Sequence, residues 1–328
     1  MKKILLQHLS FLGLLSCLFT FTAQAQTNLW PSKAIKIIVP FAPGSFTDTA
    51  ARVVGVELSS HFGQTVIVEN KGGAGSTLGT DLVAKSPVDG YTFLVTDNSF
   101  AVSAALYEKL PYSALKDLTP VSLVAESPSI MVGRPNLVQR GLKEIVQYSQ
   151  INPNKLSYGT GGIGSSAHLA MESFLSLNGL KLNHIPFKGI AGAIIDVAAD
   201  RVDIAIGSIG SAQAYLKDNR LIAIAVSGNQ RHALFPQTPT FAESGYPGYK
   251  MMYWFGMFAP SGVPKEIIDK MQRGISQALN APKVQDVFST AGVKAVSNNS
   301  QEFTNLIKEE ISLWSDVIKK SNIKASDN

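Results

Sequence analysis

Ile35-Lys36-Ile37-Ile38-Val39-Pro40-Phe41-Ala42-Pro43-Gly44-Ser45-Phe46-Thr47-Asp48 reads as a strand that passes through a glycine-bearing loop into a helix. Ile35 to Phe41 is an apolar run with β-branched residues, and Thr47 to Phe62 has helical spacing through Ala50, Ala51, Val54 and Leu58. Thr65 to Glu69 is strand-like again. Gly72-Gly73-Ala74-Gly75-Ser76-Thr77 leads into a helical stretch at Leu78 to Lys85, and a turn at Pro87-Val88-Asp89-Gly90 precedes a strand at Tyr91 to Thr96. Such alternation predicts a parallel sheet with helices on its faces.

The pattern restarts after Leu118 to Met131, two short apolar runs punctuated by Pro120, Pro128 and Pro135 that suit a crossover between lobes. Beyond it come a helix near Leu142 to Gln150, a strand at Leu156 to Tyr158, and a second glycine loop, Gly159-Thr160-Gly161-Gly162-Ile163-Gly164-Ser165-Ser166. A helix at Ser166 to Leu177 follows. Strands at His184 to Phe187, Val202 to Ile206 and Leu221 to Val226 then alternate with helices at Ala191 to Ala199 and Ser211 to Lys217. The proline-broken stretch from Phe235 to Tyr249 suits a second crossover, and Ile267 to Leu279 and Glu302 to Ile323 are amphipathic helical patterns.

Two strand-loop-helix units of this kind point to anion chemistry. A helix N-terminus leaves N–H groups without internal partners and carries about half a positive charge, so the loop can hold a carboxylate without lysine or arginine. Two such ends, far apart in the chain, predict a ligand clamped between two lobes.

Bulk properties narrow the classes. At 328 residues the chain favours two domains, and 45% apolar residues can fill both cores. Met1-Lys2-Lys3, an apolar stretch through Leu9 to Phe21 and Ala23-Gln24-Ala25 have the order of a secretory signal, with cleavage expected after Ala25. Leu14-Leu15-Ser16-Cys17 offers a competing lipoprotein site, but apolar residues continue past the cysteine. Cleavage after Ala25 removes the single cysteine and with it thiol chemistry. The net charge of +5, or +3 without Lys2 and Lys3, comes from scattered residues and gives no stripe for nucleic acid. Nor does any segment beyond the signal approach the roughly 18 apolar residues of a membrane span.

In its motifs the sequence resembles the Bug, or TctC-like, family of periplasmic substrate-binding proteins of tripartite tricarboxylate transporters. The family's first loop corresponds to Pro40 to Asp48, its second glycine loop to Gly72 to Thr77, its turn to Pro87-Val88-Asp89-Gly90-Tyr91-Thr92, and its glycine-serine loop to Gly159 to Ala170. His184-Ile185-Pro186-Phe187-Lys188-Gly189, Ala223 to Val226, Pro239 to Gly245 and Trp254 to Pro260 follow in family order. Two departures stand out. Ser45 replaces the usual second glycine and is followed by bulky Phe46, and Val88 is inserted into the usual Pro-Asp pair.

The resemblance implies a two-lobed α/β periplasmic-binding-protein (Venus flytrap) fold, each lobe a sheet flanked by helices, with the ligand in the interlobe cleft. The expected division is a signal peptide at 1–25, one lobe from 26–126 plus 250–328, and the other from 127–249. It implies a monomeric receptor in the periplasm of a Gram-negative bacterium that binds a small carboxylate and hands it to transporter membrane subunits, without cofactor, metal or nucleic acid. Candidate binding residues are Pro43, Gly44, Ser45, Phe46, Thr47, Asp48, Gly75, Thr96 and Asn98 on one side. On the other they are Thr160, Gly161, Gly164, Ser165, Ser166, His168, Gly189, Ala191 and Asp203.

Each candidate also has an ordinary reading. Thr47 can cap a helix, Gly44 can supply an unusual backbone angle, and Asp48 can complement the helix dipole. Thr160, Ser165 and Ser166 can be turn and cap residues, His168 a packed histidine and Asp203 a turn carboxylate. Phe46, Phe100, Phe187 and Trp254 are aromatic wall candidates whose default is the core. With Phe46 in the cleft, an aromatic or otherwise flat carboxylate would suit better than a citrate-like polyanion.

Rival functions remain open at this stage. A flytrap sensor presenting ligand to a signalling partner is one. A hydrolase built on Ser165, His168 and Asp203 is weaker, since no G-x-S-x-G elbow exists. Gly162 to Ala167 fits G-x-G-x-x-A, but no acidic residue stands between Ser173 and Ile195, where a dinucleotide site needs one.

Overall fold

The computed structural model describes residues 30–321 and 323, so the expected signal and its cleavage site lie outside the described residues. The first sheet takes shape from the opening stretch. Strand β1 (Ile35–Val39) pairs in parallel with β2 (Val66–Asn70) and with β3 (Thr92–Asp97). β3 pairs antiparallel with β9 (Met252–Pro260), which pairs antiparallel with β4 (Leu118–Gly133). The short β10 (Lys294–Ala295) closes the far side of β4.

The expected pair of apolar runs around Leu118 to Met131 is one long strand. Pro120 is tolerated because the register with β9 shifts between Pro120 and Ser122, where no ladder donor is required of it. Pro128 is the last residue of β4 paired with β9. From Ser129 to Gly133 the same strand pairs antiparallel with β7 (Ile204–Ser208) and β8 (Ile222–Val226) instead. β7 continues in parallel to β5 (Ser157–Thr160), and β5 to β6 (Asn183–Pro186), an edge strand where a terminal proline costs no ladder bond. A single strand thus belongs to both sheets.

Helices cover these sheets as the alternation predicts. In chain order they are α1 (Phe46–Phe62), α2 (Thr77–Ala84), α3 (Ser99–Leu106), α4 (Ala114–Asp117), α5 (Leu142–Ile151), α6 (Ser166–Leu177), α7 (Ile190–Ala198) and α8 (Ile209–Lys217). The C-terminal part adds α9 (Lys265–Leu279), α10 (Pro282–Thr290) and α11 (Ser300–Ser321). The second sheet's core gathers Ile130, Val132, Ile194, Val197, Ala205 and Ile209. Among the helices that begin shortly after a strand end are α1, α3, α6, α7 and α8. Their N-termini are what position the site.

Candidate functional site

The two glycine loops end in the same cap. Ser45 (φ −74°, ψ 159°) accepts the Asp48 N–H on its Oγ at 3.2 Å, and Ser165 (φ −76°, ψ 158°) accepts the His168 N–H at 3.2 Å. Their carbonyls accept the first helical bonds, from Thr49 and Leu169, each at 3.1 Å. Thr47 and Ala167 therefore hold equivalent places as second residues of α1 and α6, where the N–H has no acceptor earlier in its own helix.

These helix starts converge on one cavity. Ser45 and Thr47 come from α1, Asp97 and Ser99 from the start of α3, and Ser165, Ser166 and Ala167 from α6. Ile190 opens α7, while Ser208 and Ser211 lie at the start of α8 with their hydroxyls 3.0 Å apart. Phe41, Tyr253 and Phe255 give apolar walls, and Gly161 and Gly207 let backbone approach. The cavity measures about 20 Å³, room for about one water, so the helix starts are nearly in contact.

That contact is specific. Ser166 donates its N–H to Ser99 Oγ at 2.9 Å and its hydroxyl to Asp97 Oδ2 at 3.3 Å. Tyr107 donates its O–H to the Ile163 carbonyl at 3.2 Å. Gly75, at φ +60°, lies so close to Ile163 and Gly164 that a β-carbon there would overlap the Ile163 carbonyl. Loops that follow strands of different sheets are thus pressed together.

A family model described as "Tripartite tricarboxylate transporter family receptor" matches residues 50–323. The chain belongs to this TctC receptor family. Protein BugT of Bordetella pertussis is 33% identical over 318 residues, 96% of this chain and 98% of that protein. Among solved structures, MatC from Rhodopseudomonas palustris with bound malate is 30% identical with a TM-score of 0.85, covering 88% of this chain and 100% of that one. An R. palustris protein solved with adipate is 29% identical with a TM-score of 0.86, covering 90% of this chain and 99% of its own. The two sheets and their helices are therefore the two lobes of the periplasmic-binding-protein fold, and the chain is a solute-binding receptor of the TctC/Bug family.

Within this TctC-family receptor the cavity has one ionisable carboxylate, Asp97, and neither Lys, Arg nor His in its lining. Burial pushes the Asp97 carboxyl above its usual range, against the Ser99 N–H at 2.8 Å and the Ser166 hydroxyl, which favour the charged form. Tyr253 is also buried, with Ser166 as a hydrogen-bond partner of its O–H. Burial, with the neighbouring Tyr249 and Asp97, pushes its phenol well above the usual value.

The structure sorts the sequence candidates. Ser45, Thr47, Gly161, Ser165 and Ser166 line the cavity. Phe46 does not: it is 2% exposed, with its ring edge-on to Phe255 at 4.9 Å and Phe288 at 5.3 Å and stacked close over Gly210. As first residue of α1 its side chain packs under the helix in the core, its default reading, and gives this cavity no aromatic wall. Phe100 packs on Phe258, Trp254 edge-on to Phe303, and Phe187 beside the second sheet's core.

Other candidates hold the site from behind. Asp48 pairs with Arg52 at 2.9 Å, accepts from Asn70 and receives the Gly44 N–H. Gly44 faces Ala191, and Gly189 faces Ala42, across the meeting loops. Thr96 is buried in β3, next to Asp97, with its hydroxyl unpartnered. Asn98 accepts the Trp254 N–H at 3.0 Å and donates to the Met252 carbonyl and Glu310. Thr160 Oγ1 bonds His184 Nε2 at 2.6 Å, Gly164 abuts Tyr107, and Pro43 is exposed.

His168 and Asp203 are held by other protein groups. His168 Nδ1 accepts the Gly164 N–H at 3.4 Å, and its ring stacks on His184 at 4.5 Å, itself stacked on Tyr158. Asp203 accepts Arg134 Nε and both the N–H and hydroxyl of Ser157, each at 2.8 Å. Neither residue lines the cavity. Ser165, His168 and Asp203 therefore form no hydrolytic triad.

The cavity residues with polar side chains that sequence reasoning missed are Asp97, Ser99, Ser208, Ser211 and Tyr253. Ser99, Ser208 and Ser211 mark helix starts after a strand, a signal present in the sequence. Tyr253 sits on a strand whose inward face the sequence alone does not mark.

Proposed function

We propose that this receptor captures a small organic carboxylate between its lobes and delivers it to the membrane subunits of a tripartite tricarboxylate-type transporter. The observation that carries this reading is the convergence of five helix N-termini on one serine-rich cavity. Thr47 and Ala167 offer unpaired first-turn N–H groups from opposite lobes, and the serine hydroxyls can donate to the same oxygens. The malate and adipate seen in two relatives are acids of this size class.

A ligand of several carbons exceeds a cavity of about 20 Å³, so binding requires the lobes to part and close again. The lobes are taken as 26–126 with 250–328 and 127–249, and the change of β4 partner after Pro128 supports that division. Export to the periplasm after cleavage at Ala25 belongs to the same reading. Among the described residues no helix is long and apolar enough to cross a membrane.

Calorimetry with a panel of mono-, di- and tricarboxylic acids tests the binding step. Binding of at least one acid, with a matching rise in melting temperature, is expected. A panel without any binder defeats the reading. Delivery is tested by ligand-dependent uptake in a strain that carries the transporter's membrane subunits with and without this receptor.

A further inference from the structure

Asp97 is the last residue of β3, where the strand hands over to α3, and it is 8% exposed. Its Oδ1 accepts the Ser99 N–H of its own lobe at 2.8 Å, and its Oδ2 accepts the Ser166 hydroxyl of the opposite lobe at 3.3 Å. Its surroundings therefore change with the lobes. When they part, Oδ2 exchanges Ser166 for water; when they meet, the carboxyl is sealed into the cavity wall.

Nothing in that wall balances a negative charge. Tyr253 from β9 is the one other titratable group lining the cavity, and burial keeps its phenol neutral. Ser99 from α3, Ser166 from α6 and Ser211 from α8 are uncharged, and no lysine, arginine or histidine lines the cavity. Burial accordingly pushes the Asp97 carboxyl above its usual range even before a ligand enters. An anionic ligand then adds a second negative charge within the same walls. It also takes the α1 and α6 N–H groups that otherwise favour an ionised Asp97. Two carboxylates that share one site without a cation do not both stay ionised, and the one held by the helix N-termini keeps its charge.

We propose that closure on the ligand draws a proton from solvent onto Asp97 Oδ2, so that the receptor holds its anion with Asp97 as a neutral acid. Oδ1 stays the acceptor for the Ser99 N–H, and Oδ2 becomes a donor toward Ser166 Oγ. Ser166 can take that role because a hydroxyl both donates and accepts, and its own proton turns to the Tyr253 oxygen. The proton returns to solvent when the lobes part, so the cycle balances. Asp97 thereby ties affinity to pH. The closed form binds more protons than the open one, so affinity gains as pH falls through the raised value of the closed form and is lost as pH rises through it. This inference rests on the carboxylate reading above and adds the protonation state of that site.

Calorimetry in buffers of different ionisation enthalpy counts the protons taken up per ligand bound, with acetate, malate, adipate and citrate as probes. Between about pH 5 and 7.5 the wild type should take up as much as about one proton more than Asp97→Asn, the acid's own titration cancelling in the comparison. Its affinity relative to the variant should fall by up to about tenfold per pH unit on the rising side. Asparagine keeps an acceptor for the Ser99 N–H and a donor toward Ser166, so at pH 7.5 the variant should bind at least as tightly as wild type. Infrared difference spectra of the wild type need no variant: binding of a carboxyl-labelled acid should bring up the unlabelled carbonyl band of a protonated side-chain carboxyl. Equal proton uptake in the two proteins, or no such band, overturns the inference and leaves the carboxylate reading standing. A folded variant that binds more than tenfold weaker than wild type at pH 7.5 overturns it as well. No binding of any of the four acids defeats both readings together.

Discussion

The backbone N–H of Ser166 donates to Ser99 Oγ at 2.9 Å, joining the first turn of α6 to the first turn of α3. The two helices follow strands of different sheets, so this bond exists only while the lobes are together. A net hydrogen bond is worth about 1 kcal/mol, about a fivefold change in a two-state population. Ser99→Ala should therefore shift the unliganded protein toward the open form. Small-angle scattering should show a larger radius of gyration and calorimetry a several-fold weaker ligand. An identical scattering curve would count against the bond as a latch.

Gly75 tests closure by bulk instead of by bonding. Alanine at φ +60° costs about 1 kcal/mol in either form, but its methyl meets the Ile163 carbonyl only when the loops press together. Gly75→Ala should lower the melting temperature by a few degrees and weaken ligand at least tenfold. Retained affinity would show that the bound form does not bring these loops into contact.

The alternation of strands and helices, the two glycine loops and the amphipathic C-terminal helices were all legible because they depend on local periodicity and cap chemistry. Ser165 as the cap of Ser166 to Leu177 is visible in sequence, since a serine after glycines and before an apolar period has few other uses. Phe46 stayed open between core and cleft because periodicity does not say which side of the first helical turn a side chain takes. Its packing against Phe255 and Phe288 depends on residues more than 200 positions away. Asp97 escaped for the same kind of reason: a buried aspartate at a strand end resembles a turn residue until the opposite lobe covers it.

Phe46 is expected to act through the core. Phe46→Ala removes a ring held by two aromatic contacts and should cost about 3–5 kcal/mol in urea unfolding. Relative affinities across an acid panel should not change, provided measurements are made well below the melting transition. A switch in preference from flat to aliphatic acids would return Phe46 to the pocket wall.

Asp203 separates structure from binding in the second lobe. Its removal leaves Arg134 Nε and the Ser157 N–H without their acceptor, half-buried, which costs about 1–3 kcal/mol. Asp203→Ala should lose that stability while ligand affinity stays within twofold of wild type. A tenfold loss of affinity in a folded variant would place Asp203 in the binding path.

The stacked histidines predict how stability responds to acid. Burial, with His184 alongside, pushes His168 down to about 3, and burial pushes His184 down to about 4. Unfolded, each titrates near 6.5, so between these values the unfolded chain binds more protons than the folded one, and stability rises with pH. The contribution is complete above about pH 6.5 and is lost as pH falls toward 4 and then 3. Each histidine gives a slope of up to about 1.4 kcal/mol per pH unit in that window. Urea unfolding between pH 7.5 and 4.5 should show a steepening loss below pH 6.5. His168→Asn keeps an acceptor for the Gly164 N–H and removes one titration, so its slope should fall by about half. A variant as acid-sensitive as wild type would mean that His168 is protonated within the fold, which its place between Gly164 and His184 does not accommodate.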